Sequence, residues 1–207
     1  KNGWNGVAVV SAMSKETNKL IDLAKQVGVE SLVDPEYDSL ISTGEDVSSS
    51  LLAIALNSIG ISSRSWRGWQ LPVRTDSFHS NAKIEEIETK KILTNFKEGV
   101  QVAVVSGFQG IEQFGRITTL GRGGSDTSAV AIAAAIDAER CDIYTDVSGI
   151  YTTDPRIKKN ASKLKKISFE EMLEMASLGA NVLQTRAVEL AMRHKVPITV
   201  LNSFSKE

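Results

Sequence analysis

Two short runs constrain this chain more than any other feature. Residues 7–12 (VAVVSA) and 100–106 (VQVAVVS) are apolar or small at almost every position and rich in β-branched valine. A strand with one wet face alternates polar and apolar residues. A run without alternation belongs to a strand covered on both sides, as in parallel sheets with helices above and below. Parallel strands need crossover segments, and helical patterns fall between the runs. Leu20, Ile21, Ala24 and Val27 recur at helical spacing. Residues 41–59 read as a second helix, with Val47, Leu51, Ile54, Ala55 and Ile59 inward and Gly60 as its stop. Residues 83–98 read as a third, built on Ile84, Ile87, Leu93 and Phe96, with the charge run EEIETKK as its solvated face. Ser168 with Glu171 makes a capping box for a fourth helix, through Leu178. Residues 182–194 form a fifth, before a last strand at 197–201 (PITVL). The expected fold is α/β, a three-layer αβα sandwich with a mostly parallel central sheet.

The remaining segments fit between these elements. Residues 29–37 are polar with a proline and read as a loop, and 61–69 read as a strand toward an edge. Residues 71–82 are irregular, and His79 within them has no partner at metal-ligand spacing, so it is expected at the surface. Two glycines in 108–117 (FQGIEQFGRI) suggest a hairpin. Residues 142–146 (DIYTD) are a strand, followed by a loop to 156 and a basic surface excursion at 158–166. There is no repeat and no linker, so the 207 residues are expected to form one domain.

Composition excludes several function classes. A net charge of −1 offers no bulk attraction to nucleic acid or to an acidic membrane. No run approaches the ~18 apolar residues of a membrane span, and the opening KNGWNG has none of the marks of a signal peptide. The cytoplasm is the expected compartment. The one cysteine, Cys141, rules out an internal disulfide and is expected to be a small buried hydrophobe.

Chemistry concentrates in residues 117–135 (ITTLGRGGSDTSAVAIAAA). Gly121, Gly123 and Gly124 permit positive φ and close approach of a ligand. Ser125 and Asp126 are good N-caps for the helix that follows, whose N–H groups and positive dipole end favour an anion. Arg122 adds a planar charged fork suited to carboxylate or phosphate. Tight packing alone would also account for the glycines. The phosphate-loop signature is absent, and position 126 is Asp where a dinucleotide fingerprint needs Gly. Glu45, taken alone, reads as an acid favoured by a helix dipole. The residues by themselves lead to an α/β enzyme that binds a small anion at strand ends, and no further.

Five segments carry a resemblance. ITTLGRGGSDTSAVAIAAA, TDVSGIYTTDPR, VSGFQG, STGEDVSSSLLAIAL and VVSAMSKETN together resemble the aspartate kinases, of the amino-acid kinase fold. The match runs along essentially the whole chain in the expected order. It implies transfer of the ATP γ-phosphoryl group to the β-carboxylate of L-aspartate, the first step toward lysine, threonine and methionine. It also implies Mg²⁺ with the ATP, although no metal-ligand set is visible, and a homodimer. By the resemblance, Arg122 grips a carboxylate of aspartate, and Gly123, Gly124 and Ser125 supply close contacts. Glu45 meets the substrate ammonium, Thr17 lines the same pocket, and Asp126 is the catalytic aspartate. Thr145, Asp146, Tyr151, Arg156, Asn181 and Val182 correspond to nucleotide-binding positions. Because a carboxylate nucleophile is already ionised near neutrality, the chemistry asks for positioning and charge neutralisation rather than a base.

Three departures from the family pattern bear on activity. No Lys-Phe-Gly-Gly strand precedes the VAVVSA run, Asn181 stands where many members carry lysine, and the chain stops at Glu207 without regulatory ACT domains. The chain as it stands is therefore expected to turn over little or not at all. Two alternatives remain: a sister kinase acting on glutamate, acetylglutamate or a nucleotide, and a catalytically dead ligand-binding module.

Overall fold

The computed structural model describes residues 4–28, 33–153, 157–158, 160–179 and 182–204. Its first sheet holds the two runs side by side: β1 (Gly6–Val10) and β2 (Ser63–Trp66) flank β5 (Val102–Ser106), all parallel. Ala103, Val104 and Val105 are buried, as strands covered on both faces require. A second sheet orders β4 (Ile84–Ile87), β3 (Val73–Thr75), β6 (Gln109–Ile111) and β7 (Ile117–Thr119). In it β6 and β7 are the expected hairpin, and β3 runs parallel to β6. A third pairs β8 (Cys141–Thr145) with β9 (Ile198–Asn202) in parallel. Helices α1 (Glu16–Gln26), α2 (Pro35–Ile41), α3 (Thr43–Ser58), α4 (Lys90–Lys97), α5 (Gly124–Ala135), α6 (Phe169–Ser177) and α7 (Thr185–His194) complete the chain. The α/β class with parallel pairing stands, although hydrogen bonding divides the strands among three sheets.

Helix α5 joins two hydrophobic cores. Val130 and Ala133 pack with Cys141, Ile143, Met172, Ala187 and Val188. Ile132 packs with Trp66, Leu71, Val73, Ile92 and Val105. A helix apolar on every side belongs between layers, and that position fixes where its N-terminus points. Cys141 is buried in the first of these cores, as expected, and burial pushes its thiol up to about 11. Ser168 accepts from Glu171 N, and the Glu171 side chain answers the Ser168 backbone, closing the capping box at the head of α6.

Four expectations fail for physical reasons. Residues 83–98 are a strand and then a helix, because β4 pairs antiparallel with β3 and packs Ile84 and Ile87, half-buried, against the second core from there. Part of the supposed loop at 29–37 opens α2, with Pro35 at its first turn and Asp34 Oδ1 accepting from Glu36 N at 2.7 Å. Helix α3 turns the opposite way from its apolar pattern. Val47, Leu51 and Ile54 are about half exposed or more, whereas Gly44, Glu45, Ser48, Ser49 and Ala53 are buried. The inward face is polar because it closes on β5 and β6 through hydrogen bonds. Ser49 Oγ lies 2.9 Å from Ser106 Oγ, and Asp46 Oδ1 accepts from Ser106 Oγ and from Gln109 Nε2. The fourth is His79, which is buried rather than superficial, its Nδ1 3.0 Å from Asp38 Oδ2.

Candidate active site

A cavity of about 560 Å³ opens where three helices begin. Its walls include Thr17 and Asn18 from α1, Glu45 from α3, and Gly124, Ser125 and Asp126 from α5. None of these three helices has a side-chain cap bond among the described residues. Ser125 and Asp126, expected as caps, instead lie inside the first turn of α5, and the capping position is Gly123 in the left-handed region at φ 70°. Uncapped first turns leave N–H groups and the positive ends of the dipoles available to a ligand. Glycine is required at the turn. A Cβ on Gly123 would stand 1.8 Å from Gln184 Cγ, and one on Gly124 2.8 Å from Phe108 Cδ2.

The cavity also has a negative pole. Glu45 Oε1 accepts from Ala12 N at 3.0 Å, while Oε2 is buried and meets no hydrogen-bond partner among the described residues. Burial pushes this carboxyl up to about 7; the charge of Asp46 adds to the rise, and the backbone N–H groups of Ala12 and Glu45 oppose it. Burial also raises the Asp126 carboxyl from its ordinary value. A buried carboxylate oxygen without a donor calls for a cation, and the arrangement provides room for one. Arg122 stands exposed at the rim, beside the glycine turn. A small zwitterion fits this distribution: its carboxylate toward the helix N-termini and Arg122, its ammonium toward Glu45.

The wall opposite is held by a carboxylate absent from the sequence-based candidates. Asp38 of α2 is fully buried and accepts from Ser80 N, Ser80 Oγ, Thr119 N at 2.8 Å and Thr119 Oγ1 at 2.7 Å, besides His79. Ser80 and Thr119 line the cavity, as do Tyr37 and Ile41 of α2, Ser11, Ala12, Ile21 and Phe108. Asp38, Ser80 and Thr119 are brought together from α2, the turn before β4 and the end of β7, and no spacing in the chain announces them.

Thr17, Glu45, Arg122, Gly123, Gly124, Ser125 and Asp126 thus share one cavity. Of the expected nucleotide positions, the described ones (Thr145, Asp146, Tyr151 and Val182) are not among its lining residues. Thr145 ends β8, with its Oγ1 3.2 Å from Asp146 Oδ1, and Asp146 is exposed. Tyr151 bridges to Lys163, and Asn202 Nδ2 donates to Ser148 Oγ at 3.2 Å, closing the loop over the end of β9. Val182 is half-buried near the start of α7 and packs against the first core. Arg156 and Asn181 lie outside the described residues. No group of three His, Cys, Asp or Glu that would hold a metal occurs among the described residues.

Comparison with known proteins adds to this geometry. The model of the amino acid kinase family matches residues 1–202. The chain is 56% identical over 201 residues to an aspartate kinase of Pseudomonas fluorescens, covering 97% of this chain and 48% of the relative. It is 54% identical to an aspartokinase of Bacillus sp. MGA3 over its whole length and 50% of the relative. The chain thus spans about half the length of the curated relatives it matches. Among solved structures, the aspartate kinase from Synechocystis superposes with a TM-score of 0.82 at 46% identity, covering 97% of this chain and 33% of that one. Escherichia coli aspartokinase III, in complex with aspartate and ADP, gives 0.78 at 35% identity over 90% of this chain and 42% of that one.

Proposed function

The chain belongs to the amino-acid kinase family, and we propose that it forms the part of an aspartate kinase that joins L-aspartate to ATP. In the reaction, a β-carboxylate oxygen of aspartate attacks the γ-phosphorus. The bond from that phosphorus to the β,γ-bridging oxygen breaks, leaving ADP and 4-phospho-L-aspartate. The observation that carries this reading is the pairing, in one cavity, of the buried Glu45 Oε2, without a partner among the described residues, with the uncapped glycine turn and Arg122. A relative holding aspartate and ADP together supports the same pair of substrates.

Each residue then has a physical task. Glu45 accepts the substrate ammonium, and residues 122–125 with the head of α5 hold the α-carboxylate. Thr17 closes the side of the pocket. Asp126, in the first turn of α5, stands at the junction with the phosphoryl group, where it orders cationic groups rather than attacking. ATP lies along the ends of β8 and β9. The exposed Asp146 carboxylate and the Thr145 hydroxyl suit ribose hydroxyls, Tyr151 suits the base or ribose, and the family resemblance adds Arg156, Asn181 and Val182 to the nucleotide contacts. Mg²⁺ would arrive with the nucleotide phosphates and neutralise their charge, and the described residues hold no three-ligand group for it.

The product leads to lysine, threonine and methionine. The cytoplasm is the compartment in this reading, and no described helix is long and apolar enough to cross a membrane. A homodimer belongs to it as well. The apolar stripe that α3 turns outward, Val47, Leu51 and Ile54, supports an association surface.

ADP release measured in the protein that carries this chain, with L-aspartate and with L-glutamate, together with hydroxylamine trapping of the acyl phosphate, tests the reading. Aspartate-dependent ADP release with a trapped hydroxamate is expected. Preference for glutamate, or aspartate binding without any hydroxamate, would overturn it.

A further inference from the structure

We propose that Arg186, on α7, is a positioning residue for the amino-acid half of the site, gripping the base of the glycine turn without touching the substrate. The proposal rests on reading the cavity as the aspartate site. The guanidinium makes three hydrogen bonds: Nη1 to Asn81 Oδ1 at 2.7 Å, Nη1 to Leu120 O at 2.8 Å, and Nη2 to Ala82 O at 2.8 Å. These acceptors come from the two segments that build opposite sides of one corner of the cavity. Ser80 lines the cavity just before Asn81, and Gly121 lines it just after Leu120.

The corner is tight where Arg186 holds it. A Cβ on Gly121 would stand 3.0 Å from Ser80 O and 3.1 Å from Asn81 Oδ1, so the turn and the wall touch at an atom the guanidinium grips. Beyond it, Ala82 N donates to Thr119 O at 2.9 Å, and Asp38 secures Ser80 and Thr119 from α2. The segment 79–82 is therefore clamped from two helices. Helix α7 is a firm support, since Ala187, Val188 and Ala191 are buried in the first core. It also braces the turn at a second point, where Gln184 packs against Gly123.

Arginine suits this task for a geometric reason. Its planar fork spans acceptors from two segments at once, which the single ammonium of lysine does not. All three acceptors are uncharged oxygens, so these bonds leave its charge near a turn that must receive a carboxylate. Loss of the fork lets residues 120–124 relax and weakens capture of the amino acid, while the nucleotide half keeps its own contacts.

The test compares Arg186→Lys and Arg186→Gln with the wild type, in the protein carrying this chain, by steady-state kinetics with aspartate and ATP varied separately. Both variants are expected to raise KM for aspartate about tenfold and to leave KM for ATP within about twofold, the size of one or two charge-assisted hydrogen bonds. An unchanged KM for aspartate, or parallel rises in both KM values, would overturn the proposal. Backbone amide exchange across 119–125 gives a readout independent of turnover. It should quicken about tenfold in Arg186→Gln with β8 unchanged, and equal exchange in both proteins would overturn the proposal. A wild type that consumes no aspartate would refute the activity while leaving this exchange comparison to decide the role of Arg186.

Discussion

Replacing Glu45 by glutamine (Glu45→Gln) removes one titration and little else, which makes it the sharpest probe of the cavity. The amide keeps an oxygen for Ala12 N and places an NH₂ where Oε2 lacks a partner among the described residues. Burial raises the Glu45 carboxyl from 4.5 to about 7. Between those values the folded protein holds a proton that the unfolded chain has released, so stability falls as pH rises through this window. The contribution is fully present below pH 4.5 and lost above pH 7. At 1.36 kcal/mol per unit, the loss comes to about 3 kcal/mol. The raised Asp126 carboxyl is common to both proteins and cancels in their difference. Urea unfolding of wild type and Glu45→Gln from pH 4 to pH 8.5 should therefore show the glutamine protein gaining on the wild type by about 3 kcal/mol across that range. Substrate makes the complementary statement. If an ammonium pairs with Glu45, aspartate binding below pH 7 must expel the proton, and affinity should weaken toward tenfold per pH unit below that point. Calorimetry in buffers of different ionisation enthalpy reads that proton directly. Stability curves for the two proteins that stay parallel within about 0.5 kcal/mol would refute both the raised carboxyl and the orphaned oxygen on which the function rests.

Three other substitutions have defined outcomes. Gly123→Ala places a Cβ 1.8 Å from Gln184 Cγ at φ 70°, and should lower stability by about 1–3 kcal/mol in thermal melts while abolishing aspartate capture. Arg122→Ala removes an exposed fork at the rim, so melting should hardly move while KM for aspartate rises about tenfold or more, the loss of a charge-assisted bond. Ser168→Ala opens the capping box of α6 and should cost about 1 kcal/mol in denaturant unfolding with kcat unchanged.

What the sequence made legible follows from how local each signal is. The strands β1 and β5, the β6–β7 hairpin and the capping box are written in neighbouring residues and form as read, but only β5 is covered as its run suggests; β1 lies at the edge of its sheet and is half-buried. The gathering of Glu45 and residues 122–126 was legible only through the family resemblance, since 77 positions separate Glu45 from Arg122. Helix α3 misled because its apolar stripe faces outward. The space inside is taken by a polar seam from Asp46 and Ser49 to Ser106 and Gln109, which hydropathy counts as surface. Residues 84–87 carry helical spacing as well as a strand, and pairing with β3 decided between them. His79 and Asp38 were invisible because nothing local distinguishes a histidine bound to a buried carboxylate from one in water.

Asp38 also sets an order of events during synthesis. The carboxylate sits in α2, yet its hydrogen bonds come from His79, Ser80 and Thr119. A nascent chain that has emerged only as far as β3 has no donors for it, and burying it then would cost several kcal/mol. Packing of α2 into its final place must wait for the strand β7 that carries Thr119. The amino-terminal third is thus held open as it leaves the ribosome, and closes around its pocket only when the hairpin arrives.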